Sequence, residues 1–226
     1  MKLSLALDLP SAKQNIELVD LLDGLEFSAK ININSFLDGT YLLTELQKRN
    51  IEVCVDLNLI DIPSVMAKTA TKLANLNVEM FTISMMAGDH AIDQVVNAVD
   101  KCYFRPKIIT STVLTSLNED MCYKIFGMDI QDKVESFVAD SVRAGCDGIM
   151  CSVHEAGNLK PLIKDKIICC PGIRWGDQLD DQIRSASIEL AKANGVDYIV
   201  VGRPIYQSKD PRTTVENIIK KMLFTT

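Results

Sequence analysis

Asp8, Lys30 and Asp56 each stand in or at the end of a short apolar run: Leu3–Leu7 before Asp8, Leu25–Ile31 around Lys30 and Glu52–Leu57 around Asp56. A charge in such surroundings must be paired to be tolerated. The three therefore read as one cluster, either an ion-pair network closing an end of the fold or a site for electrostatic and acid–base chemistry. Asn58 lies two residues past Asp56, on the same side of an extended strand. Asp61 follows in a turn leading to Pro63, where it also suits the N-cap of a helix starting at that proline.

A second set of residues fits an anion. Pro171-Gly172-Ile173-Arg174 and Val201-Gly202-Arg203-Pro204 each follow an apolar run near the C-terminus. Glycine lets an oxygen approach backbone N–H groups closely, and arginine offers a charged planar fork that matches phosphate. The plainer alternative is an arginine lying over apolar surface with its head in water. Other reactive residue types carry less. His90 and His154, the two histidines, begin helical segments without metal-ligand spacing. Cys151, Ser152 and His154 include a nucleophile and a base, but adjacency in sequence does not create the geometry a triad needs.

The elements that must position these groups alternate regularly. Eight apolar runs (Leu3–Leu7, Leu25–Ile31, Glu52–Leu57, Met80–Ile83, Lys107–Val113, Gly148–Cys151, Lys166–Cys170 and Tyr198–Val201) are separated by amphipathic segments. The latter are Ala12–Leu22, Ser35–Lys48, Pro63–Ala74, His90–Val99, Ile130–Arg143, His154–Lys160, Asp181–Ala193 and Thr213–Met222. In the fifth, Val134, Phe137, Val138, Ser141 and Val142 share one helix face. Near-continuous apolar strands alternating with helices predict a parallel sheet covered on its outer face. Eight units in 226 residues favour an α/β fold of the (β/α)8 TIM-barrel type, one domain over residues 1–226, above an open doubly wound sheet. The first strand leads into Asp8-Leu9-Pro10 with no GxGxxG turn, which also disfavours the open sheet. In such a barrel the chemistry gathers at the C-terminal ends of the strands.

Composition narrows the function classes. A formal charge of −6 argues against a broad nucleic-acid surface while allowing a local basic pocket. Seven cysteines without CxxC spacing predict reduced thiols in a cytoplasmic protein and no zinc site. The first apolar stretch is too short for a signal peptide, and no run reaches membrane-spanning length, so no membrane partner is expected.

Over nearly its whole length the chain resembles the bacterial orotidine 5′-phosphate decarboxylases. The resemblance lies in Leu5-Ala6-Leu7-Asp8, Lys30, Asp56-x-x-x-x-Asp61-Ile62-Pro63, Val113-Leu114-Thr115-Ser116 and Cys151-Ser152. It continues through Pro171-Gly172-Ile173-Arg174, Asp181-Gln182-x-Arg184 and Val201-Gly202-Arg203-Pro204-Ile205-Tyr206. It implies a homodimeric barrel that decarboxylates orotidine monophosphate to UMP in pyrimidine synthesis, without metal or organic cofactor. By that resemblance Asp8 holds a ribose hydroxyl, Lys30 bridges ribose and carboxylate network, and Asp56 lies beside the substrate carboxylate. Asp61 enters the partner subunit's site, and Thr115 meets the pyrimidine edge. Pro171, Arg174, Gln182, Gly202 and Arg203 bind the substrate, with the last four at its phosphate.

The departures concern chemistry directly. The family motif is Asp-x-Lys-x-x-Asp, and Asn58 stands here in place of the lysine that stabilises the carbanion and delivers the proton. Ser64-Val65 replaces Asn-Thr after Ile-Pro, Ser84-Met85-Met86-Ala87-Gly88 replaces His-Ala-x-Gly, and Lys30-Ile31-Asn32 replaces Lys-x-Gly. An amide brings hydrogen bonds but neither a full charge nor a usable proton. The expectation is that phosphate and ribose binding persist while decarboxylation is severely weakened. Two further readings stand beside it: a sugar-phosphate decarboxylase or hexulose-phosphate synthase of the same superfamily, which would need magnesium, and a non-catalytic nucleotide-binding homologue such as a UMP sensor.

Overall fold

The structure is a computed structural model in which residues 1–174 and 186–224 are described. Eight strands follow in chain order: β1 Lys2–Leu7, β2 Ser28–Asn32, β3 Val53–Leu59, β4 Met80–Ser84, β5 Lys107–Ser111, β6 Gly148–Met150, β7 Ile167–Cys170 and β8 Tyr198–Val201. Each pairs in parallel with the next, and β8 returns to β1 with Lys2 opposite Tyr198 and Leu5 opposite Val201. The sheet thus closes into the expected barrel, without an exposed edge. Around it lie α1 Ala12–Leu21, α2 Ile33–Leu37, α3 Tyr41–Lys48, α4 Pro63–Asn75, α5 Asp89–Val99, α6 Glu119–Phe126, α7 Ile130–Arg143, α8 Val153–Ile163, α9 Ile188–Ala193, α10 Arg203–Tyr206 and α11 Pro211–Phe224.

Strand alternation divides the core in two. Leu3, Leu5 and Leu7 of β1, Ala29 and Ile31 of β2 and Val53 and Val55 of β3 belong to the large aliphatic layer shared with the helices. The opposite faces form the barrel interior, where Cys54, Met80, Ile109, Cys169 and Tyr198 pack as a smaller cluster. Helix faces match the outer layer: Val134, Phe137, Val138 and Ser141 of α7 are buried, and Asp129 caps that helix by accepting the Asp132 N–H.

Three expectations change. The segment Ser35–Lys48 is two helices, because the chain turns at Gly39 with φ of +105°. The helix expected over Asp181–Ala193 starts at Ile188, and residues 181–185 lie outside the described residues. Asp61 is not the N-cap of α4: that position is Ile62, and Asp61 instead accepts the Ile62 N–H at 2.6 Å. The short helix α6 went unrecognised in the sequence although Asn118 caps its start and Gly127 ends it in the left-handed conformation.

Gly148 of β6 has no room for a side chain in the barrel wall. A Cβ there would sit 2.6 Å from the Ile167 carbonyl oxygen and 2.8 Å from Ile109 Cδ1. Gly148→Ala is therefore expected to force β6 and β7 apart and to lower unfolding free energy by about 1–3 kcal/mol, read from the urea midpoint.

Candidate active site at the barrel mouth

The inward register of β1, β2 and β3 brings the charged residues together. Ala6 is opposite Lys30, Lys30 opposite Cys54 and Asn32 opposite Asp56. Lys30 Nζ lies 3.0 Å from Asp56 Oδ2 and 3.8 Å from Asp8 Oδ1. Asp8 in turn accepts a hydrogen bond from Asn32 Nδ2 at 2.8 Å. Burial disfavours the Lys30 ammonium, but the carboxylates of Asp56 and Asp8 outweigh it and raise its pKa above the ordinary 10.5. The same surroundings, mainly burial and then the Asp56 charge, push the Cys54 thiol well up and keep it protonated.

Beyond Asp56 the chain leaves regular strand geometry. Pairing of β3 with β4 shifts between Val55 and Leu59, and Asn58 takes φ of +45°. Asn58 is tied to β4 and, one strand further, to β5. Its N–H donates to Thr82 Oγ1 at 2.8 Å, and its side-chain oxygen accepts from Ser111 Oγ. Thr82 Oγ1 donates to Asp56 Oδ1 at 2.7 Å, so one chain of contacts runs from Asn32 through Asp8, Lys30, Asp56 and Thr82 to Asn58 and Ser111.

This polar floor opens into a cavity of about 210 Å³. Asp8, Lys30, Asp56, Asn58, Thr115, Pro171, Arg174, Gly202 and Arg203, all singled out in the sequence, line it. The two Gly-Arg segments after β7 and β8 therefore face the same space as the acidic floor. Gly202 fits because a Cβ there would press to 3.1 Å of the Ala6 Cβ and 3.3 Å of the Tyr206 ring. The segment before Arg174 is held by a bridge to Ala186: the Arg174 N–H donates to the Ala186 carbonyl at 3.0 Å, and the Ala186 N–H to the Gly172 carbonyl at 3.1 Å.

Two expected site residues are placed differently. Asp61 is exposed and does not line this cavity. Gln182 lies outside the described residues. The Cys151-Ser152-His154 triad is ruled out by the role of Ser152. This serine is fully buried and caps α8, its Oγ accepting the His154 N–H at 3.3 Å while its own N–H donates to Glu155 Oε2 at 3.0 Å. The sequence reading assigned no role to Thr82, Ser111, Thr112 or Tyr206, the last quoted there only as the end of a motif. Alternation along β5 from Ile109 was the available signal for Ser111, and alternation along β4 from Met80 was that for Thr82.

A model of the family described as "Orotidine 5'-phosphate decarboxylase / HUMPS family" matches residues 1–218. The chain is 40% identical over 227 residues to the "Orotidine 5'-phosphate decarboxylase" of a Nitratiruptor species, covering 98% of this chain and all of that one. It is likewise 40% identical over 227 residues to the protein of the same description from Nautilia profundicola, covering 98% and 99%. Among solved structures, the orotidine 5'-phosphate decarboxylase of Lactobacillus acidophilus superposes with a TM-score of 0.84 at 26% identity, over 98% of both chains. An uncharacterized conserved protein from Geobacillus kaustophilus shares the fold with a TM-score of 0.84 at 22% identity, over 97% of this chain and 99% of that one.

Because Lys30 is raised in the folded state, its contribution to stability is complete below its unfolded-state value and is lost as pH rises through the folded one. Lys30→Met leaves Asp56 and Asp8 without their cation, a loss of about 3 kcal/mol for a broken buried pair. In parallel urea titrations the gap between parent and variant is expected to be widest below pH 10.5 and to narrow above it.

Proposed function

The chain belongs to the orotidine 5'-phosphate decarboxylase / HUMPS family, and from that premise we propose that it decarboxylates orotidine 5′-phosphate to UMP in pyrimidine biosynthesis. The observation that carries the reading is the meeting, in one cavity, of a lysine–carboxylate floor with two arginine-bearing loops. Arg174, Arg203 and the Gly202 backbone hold the phosphate, Asp8 and Lys30 hold the ribose, and Thr115 and Pro171 border the base. Gln182 is assigned to the phosphate by the family motif alone.

The floor sets the electrostatics of the reaction. Lys30 contributes +1 and Asp8 and Asp56 together −2, a net −1. A substrate carboxylate brought beside Asp56 meets like charge, and departure of carbon dioxide relieves it. The C6–carboxyl bond breaks, its electron pair stays on C6, carbon dioxide leaves, and a proton taken from solvent water completes UMP. A cation facing C6 would stabilise that electron pair, but Asn58 offers only an N–H dipole.

The assembly we propose is a homodimer in which Asp61 reaches the partner's site. Its support is the exposure of Asp61 together with its apolar neighbours Ile60 (53%), Ile62 (63%) and Val65 (38%). No helix among the described residues is long and apolar enough to cross a membrane, and we place the protein in the cytoplasm as a small-molecule enzyme without a nucleic-acid partner. We propose the reaction to need no metal and no organic cofactor.

Loss of orotidine monophosphate absorbance tests the activity. Asn58→Lys is expected to raise kcat by about 100-fold or more, the order of one well-placed transition-state contact; a parent already as fast as the variant removes position 58 from the account. Arg203→Ala is expected to weaken UMP binding by about 10- to 100-fold in calorimetry, the range for a charged hydrogen bond. Sedimentation is expected to report a dimer, and a fully active monomer would exclude the role given to Asp61.

A further inference from the structure

Asn58 owes its place to two hydroxyls on strands that contribute no charge to the site. Where β3 and β4 lose register between Val55 and Leu59, Asn58 has no register partner on β4, and its N–H goes to a side chain. Thr82 Oγ1 accepts it at 2.8 Å and sits 2.7 Å from Asp56 Oδ1. An N–H can only donate, so the single proton of the Thr82 hydroxyl must go to the carboxylate. Thr82 is wholly buried, which fixes both bonds away from water. One strand further, the buried Ser111 donates to Asn58 Oδ1. With its oxygen engaged, the carboxamide presents Nδ2 as the donor remaining for a ligand in the cavity that Asn58 lines.

We propose that Thr82 and Ser111 are positioning residues for the reaction. Thr82 couples the left-handed turn at Asn58 to the orientation of the Asp56 carboxylate. Ser111 orients the Asn58 carboxamide so that its N–H, not its oxygen, meets the anionic edge of the substrate. The kinetic part rests on the decarboxylase reading; the structural part does not.

Thr82→Val keeps the shape and removes both bonds, whereas Thr82→Ser keeps the hydroxyl. In the unliganded protein, exchange of the Asn58 backbone amide is expected to accelerate by about 100-fold in the valine variant and to stay near the parent's in the serine variant. With orotidine 5′-phosphate, Thr82→Val is expected to lower kcat by about tenfold or more while KM stays within about threefold, because the phosphate is held elsewhere. Thr82→Ser should restore kcat. Unchanged amide exchange in Thr82→Val overturns the coupling. Altered exchange with unchanged kcat overturns the positioning role. A parent that does not turn over the substrate, with the exchange response intact, sinks the decarboxylase reading and leaves the coupling standing. If Thr82→Val fails to fold, Ser111→Ala serves: faster exchange of the Asn58 side-chain amide with lower kcat supports the proposal, and no change in either overturns it.

Discussion

An ammonium group inside a β-barrel is tolerable only where carboxylates come to meet it, and that requirement organises the mouth of this molecule. Lys30 lies on β2, between Asp8 at the end of β1 and Asp56 on β3. The parallel register of three neighbouring strands is what delivers the two carboxylates to one nitrogen. A slip of one residue on β2 would turn Lys30 into the aliphatic layer under the helices. The ion network and the strand register are therefore one constraint, and the cavity above it exists because both are met.

The rest of the fold leaves the mouth free for polar groups. Apolar burial is assigned to the outward faces of the strands, where Leu3, Leu5, Leu7, Ile31 and Val55 meet the helices. Inside, small or hydroxylic residues such as Ser4, Ala6, Thr82 and Ser111 stand where larger apolar chains would fill the space. Thr82 then makes two hydrogen bonds at full burial, so no buried polar atom of that side chain is left unmet. The same economy of space appears at Gly202, whose lack of a side chain lets the chain after β8 lie close to Ala6.

The charge balance at the floor bears directly on the chemistry we propose. One lysine against two carboxylates leaves an excess of negative charge beneath the place assigned to the substrate. Asn58 answers that excess with a dipole held by Ser111 and by Thr82. Such a group binds and orients well, but it does not counter a developing carbanion as a cation does. In the function we propose, affinity for a mononucleotide rests on the arginine loops after β7 and β8, and speed on it rests on the floor.

Much of this was readable from residue order. Eight apolar runs with helices between them specified the barrel, and polar residues at the strand ends named the charged groups of the cavity lining, because alternation and strand-end position are local properties of the chain. The division of Ser35–Lys48 at Gly39, the α6 helix and the fate of Asp61 were not readable, since each depends on a turn conformation or on which neighbour an exposed carboxylate meets. Thr82 and Ser111 looked like ordinary strand residues; only the loss of register beside Asn58 makes them its partners. Composition and spacing thus determined which chemical groups arrive at the mouth. Closure of the barrel decided which of them touch, because contact between β3, β4 and β5 depends on register across strands separated by whole helices, which no local stretch of sequence encodes.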